Sequence, residues 1–148
     1  QLATTNGNST RNQLQIHARQ NGVAERKNWS IVEAARVMLD EKCLPKFYWA
    51  EAIRTAVYIQ NRIGEKVSAH DLYFGRKPNL RHLRVFGSIA DVHVPKEKRR
   101  KLDAKAEKCI LLGYTYEKKG YKCYNPRTKQ ARVSHDVVFD ESASGPQL

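Results

Sequence analysis

Val85-Phe86-Gly87-Ser88-Ile89-Ala90-Asp91-Val92-His93-Val94 is the stretch on which the fold turns, because here the pattern of the chain changes from helical to β. Val85-Phe86 and Ile89 to Val94 are rich in β-branched and aromatic residues, and three further runs of the same character follow: Cys109 to Tyr114, Tyr121 to Tyr124 and Ala131 to Phe139. Turn residues separate them. Asn125-Pro126-Arg127-Thr128 reads as one hairpin turn and Glu117 to Gly120 as another. Five short strands in about 60 residues predict a small barrel.

Upstream of this stretch the apolar period is helical. Val23 to Lys42 contains no Pro or Gly, and Ile31, Ala34, Ala35 and Met38 recur at helical spacing, with Trp29, Val32 and Leu39 widening the face. Leu44-Pro45 breaks that helix. Pro45 suits the first turn of a second helix, in which Trp49, Ala52, Ile53, Ala56, Ile59 and Ile63 repeat every three or four positions up to Gly64. Ser68-x-x-Asp71 reads as a capping box for a short helical turn, closed by Gly75 to Pro78. Gln1 to Arg19 is polar, has no sustained period and is expected to be loop with one short strand at most. The organisation expected is therefore α+β: a mainly helical part over residues 1–78, a β part over 79–141, and a linker or tail over 142–148 that begins Ser142-Ala143-Ser144-Gly145-Pro146.

The chain has 148 residues and carries 27 Lys plus Arg against 15 Asp plus Glu, a formal net charge of +12. That is one or two domains with enough apolar residues for a core. Apolar runs such as Ile110-Leu111-Leu112 are far shorter than a membrane span requires, so no membrane partner is expected. Gln1 to Asn12 lacks the apolar centre of a signal peptide, and the absence of an initial Met suggests a piece of something longer. Cys43, Cys109 and Cys123 form no Cys-x-x-Cys pair, and the five histidines are scattered. Neither a disulfide framework nor a zinc site is suggested, and a reducing, intracellular compartment is expected.

The positive charge is concentrated. Between Val94 and Arg132 there are 13 Lys plus Arg and 4 Asp plus Glu, a local excess of 13 − 4 = +9. The densest part, Lys96-Glu97-Lys98-Arg99-Arg100-Lys101, falls between two expected strands and so is displayed at a rim, with Lys105 and Lys108 close behind. Clustered cations of this kind bind nucleic acid by displacing counterions from phosphates, and Tyr114, Tyr116, Tyr121 and Tyr124 alternate with the charge as candidates for stacking on bases.

One block carries catalytic chemistry. Gln20-Asn21-Gly22-Val23-Ala24-Glu25-Arg26-Lys27-Asn28 resembles the integrase core of copia-type retrotransposons, as do Leu44-Pro45-Lys46-Phe47-Tyr48-Trp49-Ala50-Glu51-Ala52, Gly75-Arg76-Lys77-Pro78, Leu83-Arg84-Val85-Phe86-Gly87, Lys119-Gly120-Tyr121, Tyr124-Asn125-Pro126 and Ser134-x-Asp136-Val137-Val138-Phe139. The resemblance spans Gln20 to Glu141. It implies the end of an RNase H-like core, represented by two long helices, followed by a five-stranded SH3-like barrel. It also implies a Mg²⁺-dependent polynucleotidyl transferase that joins DNA ends by a two-metal mechanism, work done on chromosomal DNA in the nucleus. In that family Glu25 corresponds to the third catalytic carboxylate, at the opening of a helix, and Arg26 and Lys27 would face the same DNA.

The other two carboxylates are missing. The first would precede Gln1, and the T-D-N-G motif that carries the second is matched by Thr4-Thr5-Asn6-Gly7, with Thr5 in the place of the aspartate. Ala18 and Arg19 also replace part of the family's T-P-Q-Q lead-in. One carboxylate cannot hold two magnesium ions, so Glu25 is a metal ligand only if the rest come from elsewhere, and this chain alone is expected to need no cofactor and to transfer no strand. The expected function is DNA-backbone binding through Lys96, Lys98, Arg99, Arg100, Lys101, Lys105 and Lys108, assisted by Arg26 and Lys27. The alternatives are a protein-interaction module that docks other integrase chains or integration-complex proteins, a decayed remnant, and, last, an active nuclease.

Overall fold

The computed structural model describes residues 7–63, 67–115 and 120–142, with side chains from residue 21 onward in the first stretch. The expected stop at Gly64, Tyr116, most of the Glu117 to Gly120 turn, and the tail from residue 143 lie outside them.

Helix α1 runs Gly7–Glu41 and α2 runs Trp49–Gln60, the latter entered through a 3-10 turn at Lys46–Tyr48 that Pro45 precedes. The expectation of loop up to Arg19 is corrected: α1 starts sixteen residues before Val23. No proline lies in that stretch, and once a turn is nucleated each further residue adds a hydrogen bond at little cost, so a polar segment can extend a helix anchored elsewhere. The anchor is the other end. From Ile31 onward α1 packs against α2, and Ala35, Leu39, Tyr48 and Ala52 join one buried cluster. The hairpin between the two helices is made by Cys43, which adopts φ 50; its N–H donates to Asp40 O at 3.1 Å and Leu44 N–H to Leu39 O at 2.9 Å. That is the paired bonding of a Schellman C-cap, with Leu44 folding back on Leu39 in the same cluster.

Trp29 and Ile63, expected to help bury the helix pair, are exposed at 71% and 54%. Trp29 lies beyond the reach of α2, whose last turn meets α1 where Gln60 Nε2 donates to Ser30 Oγ at 3.3 Å, and Ile63 follows the end of α2. Helix α3, Ala69–Phe74, forms as its sequence predicts. Ser68 Oγ accepts from Asp71 N–H, Asp71 Oδ2 accepts from Ser68 N–H, and Gly75 ends the helix at φ 66.

The β part is a five-stranded antiparallel sheet of order β4-β3-β2-β1-β5, comprising β1 Ile89–His93, β2 Ala106–Tyr114, β3 Tyr121–Asn125, β4 Gln130–Ser134 and β5 Val137–Asp140. Two strand expectations change. Val85-Phe86 is not a strand; Phe86 turns inward to the helix-facing cluster, and Gly87 follows at φ 79, where a Cβ would come within 2.6 Å of Leu44 Cδ1. Ala131 to Phe139 is two strands rather than one, broken at His135-Asp136. The Asn125 turn stands, with Asn125 Oδ1 accepting from Arg127 and Thr128 N–H.

That break has a geometric consequence. β4 and β5 are opposite edges of the sheet, about 19 Å apart if it were flat, yet two residues join them and three Cα steps span at most about 11 Å. The sheet must curl until its edges meet at that corner, although among the described residues no ladder closes it into the expected barrel. Its concave face buries Ala90, Val92, Cys109, Leu111 and Cys123. On the other face Ile110 and Leu112 meet α2, and a bulge at Leu111/Gly113 lets the helix approach. Thr55 Oγ1 donates to Leu112 O at 3.1 Å and would crowd any Cβ on Gly113. Helices and sheet thus share one core across residue 78.

The end of α2 is joined to the sheet by an aromatic cluster. Tyr58 stacks on Tyr114 with centroids 4.7 Å apart, and Tyr58 Oη lies 2.8 Å from His82 Nε2. Burial holds the His82 pKa below its usual value; the Arg62 cation adds to this, a backbone hydrogen bond at Asn79 opposes it, and Arg84 lowers it further. The unfolded chain therefore takes up this proton first as pH falls. Stability from the neutral ring is full above pH ~6.5 and is lost progressively below it. Melting temperature is expected to drop between pH 7 and pH 5, with a shallower drop in His82→Gln; an identical profile in the variant contradicts this role for His82.

Candidate nucleic-acid interface

The segment from Lys96 to Lys101 leaves β1 at the sheet's rim as a 3-10 turn over Lys96–Lys98, and returns into β2 at Ala106. It is held by its backbone. Val94 N–H donates to Lys105 O at 3.0 Å, and Arg100 N–H to Asp103 Oδ2 at 2.7 Å, so the side chains are free to project. Lys96, Lys98, Arg100, Lys101, Lys105 and Lys108 are exposed and Arg99 is half-buried, and none of the seven pairs with a carboxylate among the described residues. The structure gathers them at one end of the sheet as an unneutralised cationic rim, the arrangement that counterion release rewards.

Arg26 and Lys27 are not part of this rim. α2 runs alongside β2, with Tyr48 near Tyr124 at its start and Tyr58 on Tyr114 at its end. α1 returns antiparallel and passes Gln60 at Ser30, so Arg26 and Lys27 lie beyond the Tyr114 end of β2. The basic segment lies beyond the Ala106 end. Most of the nine-residue β2, about 26 Å long if fully extended, lies between the two groups. Their separation depends on how the helix hairpin lies on the sheet, which no local pattern in the sequence encodes.

The tyrosines also serve packing. Tyr114 stacks on Tyr58, Tyr121 meets Phe139 edge-on at 4.7 Å, and Tyr124 meets Tyr48 edge-on at 5.6 Å. Tyr114 and Tyr124 thereby join helices to sheet, and Tyr121 joins strand to strand. A cavity of about 690 Å³ opens beside them between α2 and the sheet, lined by Ile53, Val57, Tyr58, Leu112 and Val133. The cations at its mouth are already engaged, since Glu51 Oε1 accepts from Lys122 Nζ at 2.7 Å and pairs with Arg54 at 3.2 Å. With two cations against one acid the lining keeps a net charge of only +1, and both cations are turned to Glu51. The thiols of Cys109 and Cys123 are pushed up by burial to about 11 and about 12, which keeps both protonated and unreactive.

Glu25 sits well inside α1 and is exposed, rather than in a helix first turn where the dipole would favour it. The segment matched to T-D-N-G lies outside the described residues up to Gly7. Among the described residues no three His, Cys, Asp or Glu side chains are close enough to hold a metal ion, so the residues present do not fit a two-magnesium site. Calorimetric titration with Mg²⁺ is expected to show no stoichiometric binding; a tight site abolished by Glu25→Gln contradicts this.

Comparison with known proteins matches these features to a family. Residues 88–148 match the retroviral polymerase SH3-like domain. Over 126 residues, 82% of this chain, the sequence is 45% identical to the retrovirus-related Pol polyprotein from transposon TNT 1-94 of Nicotiana tabacum, and 36% identical to that from transposon RE1 of Arabidopsis thaliana. The chain belongs to the retrovirus-related Pol polyproteins of transposons. It spans about a tenth of their length, 10% and 9% respectively. An uncharacterized mitochondrial protein of Arabidopsis thaliana is 34% identical over 84 residues, which cover 54% of this chain and 70% of that one. No solved structure matches. Among the described residues no helix is long and apolar enough to cross a membrane.

The sequence reading missed a second basic stretch. Between Asp71 and Asp91 there is no acid, while Arg76, Lys77, Arg81 and Arg84 fall within nine residues. That run was visible in the charge pattern, but the larger excess after Val94 overshadowed it.

Proposed function

We propose that this chain is the integrase region of a copia-type retrotransposon Pol polyprotein, in which the helix pair is the end of an RNase H-like core and the curled sheet an SH3-like barrel. Its function is to bind DNA through the phosphate backbone without marked sequence preference, in the nucleus where the target DNA resides. The observation that carries this reading is the cationic rim from Lys96 to Lys108: seven side chains at one end of the sheet, without acidic partners among the described residues. Five of the seven are lysines, compact point charges on flexible stems that meet phosphate without a fixed geometry, which favours backbone contact over sequence readout. The corner at His135-Asp136, which forces the sheet to curl, supports the barrel.

Strand transfer is assigned to the complete polyprotein rather than to this segment, because among the described residues no group of three potential ligands that could hold a metal ion forms around Glu25. In gel-shift assays the chain is expected to retard unrelated duplexes equally and to release them as salt rises. Incubated with labelled DNA ends and Mg²⁺ or Mn²⁺, it is expected to leave them intact. Sequence-selective retardation, or processed ends that Glu25→Gln abolishes, contradicts the respective half of the proposal.

A further inference from the structure

Helix α3 presents large apolar side chains to solvent in succession: Leu72 is 78% exposed, Tyr73 83% and Phe74 57%. They stand on a fixed platform. The Ser68–Asp71 capping box starts the helix, His70 N–H donates to Asn61 O at 3.0 Å and so ties it to the end of α2, and Gly75 stops it. The two rings set each other, with Tyr73 and Phe74 edge to face at 4.8 Å and His70 against Phe74 at 4.6 Å. Arg76, Lys77 and Arg81 follow directly, all exposed and without ion-pair partners among the described residues, in the stretch that carries no acid. Asn79 Oδ1 accepts from Arg81 N–H at 3.0 Å, which orders this connection.

Exposed rings beside unneutralised cations have a specific chemical complement. Cations alone take phosphates of any nucleic acid, but rings can stack in a duplex only by first unstacking its bases, at a cost of about a few kcal/mol per step. Unpaired bases have free π-faces and lie next to the phosphates of their own strand, as the two rings lie next to the cations here. We propose that Tyr73 and Phe74, with Arg76, Lys77 and Arg81, form a second binding surface, for single-stranded nucleic acid, separate from the duplex-binding rim.

This surface extends the nucleic-acid reading above but is read out with a different ligand, so the two fail independently. The probe is a fluorescein-labelled twelve-base thymidine oligonucleotide, alongside a labelled duplex, in anisotropy titrations of the whole chain. Tyr73→Leu/Phe74→Leu keeps the apolar volume and removes the π-faces; it is expected to weaken the single strand about tenfold or more while leaving duplex affinity within about twofold. Arg76→Gln/Lys77→Gln/Arg81→Gln is expected to lower the salt slope for the single strand by about 2, at roughly 0.7 per phosphate. All five side chains are exposed, so melting temperatures serve as the folding control. Single-strand affinity unchanged in both variants overturns the proposal, as does single-strand binding lost only when the Lys96 to Lys101 segment is altered. Self-association that the leucine variant abolishes, with single-strand affinity intact, overturns it in favour of a protein-docking surface.

Discussion

Ile110→Ala is expected to destabilise the chain by about 3–4 kcal/mol, a large effect for a single truncation. Ile110 has no exposed surface, lies opposite both Ile89 and Tyr124 in the sheet, and belongs to the cluster that includes Ala35, Leu39, Tyr48 and Ala52 from the helices. It is therefore buried from two sides. Removing its side chain leaves a cavity where helix pair and sheet meet, and neither layer can collapse into it without unseating Thr55 from Leu112 O. A domain of this size is commonly stable by about 5–15 kcal/mol, so the loss is a large fraction, visible as a fall of about 10 °C in melting temperature. Val138, 73% exposed on β5, is the matched control, and Val138→Ala is expected to change stability by less than about 0.5 kcal/mol. Urea unfolding checks both. A loss below about 1 kcal/mol for Ile110→Ala means that helices and sheet do not share a core.

The second large effect is electrostatic. Lys96→Glu/Lys98→Glu/Arg100→Glu/Lys101→Glu reverses four exposed charges and takes the net charge from +12 to 12 − 8 = +4. If each side chain neutralises one phosphate, the slope of log K against log salt falls by about 4 × 0.9 = 3.6, and affinity at ~0.1 M salt drops by orders of magnitude. Net charge alone also steers DNA, so the control must carry the same total. Arg26→Glu/Lys27→Glu/Arg36→Glu/Arg54→Glu does so at exposed positions on the two helices, and is expected to retain most of the slope. Equal losses in the two variants assign binding to net charge and not to this rim. Arg26→Glu/Lys27→Glu is expected to change binding to short duplexes little, because those residues sit at the other end of the molecule.

What the sequence made legible were features whose causes are local. The Ser68–Asp71 capping box, the Gly75 stop and the Asn125 turn each follow from a few adjacent residues, and each stands where the pattern put it. Ile89 to Val94 and Cys109 to Tyr114 alternate or run apolar because they lie between two buried faces. Features with distant causes were not legible. The first turns of α1 have no apolar period of their own, being continuous with a helix anchored at Ile31 to Leu39. Phe86 reads as strand but is drawn inward by the cluster around Leu44, with Gly87 turning where no Cβ fits. His135-Asp136 contains neither Gly nor Pro, so the split between β4 and β5 arises only from the need to pass from one sheet edge to the other. The same division holds for the site. The cationic segment was legible as composition, whereas the distance to Arg26 and Lys27, and the use of three tyrosines as packing, depend on how the helices lie against the sheet.

The most direct test is anisotropy of a labelled 20-base-pair duplex, titrated with the wild-type chain at several salt concentrations. A slope of log K against log salt of about −4.5 or steeper, equivalent to five or more neutralised phosphates, is the predicted result. Weak binding with almost no slope would contradict the account, leaving the rim from Lys96 to Lys108 as solvated charge without a nucleic-acid partner.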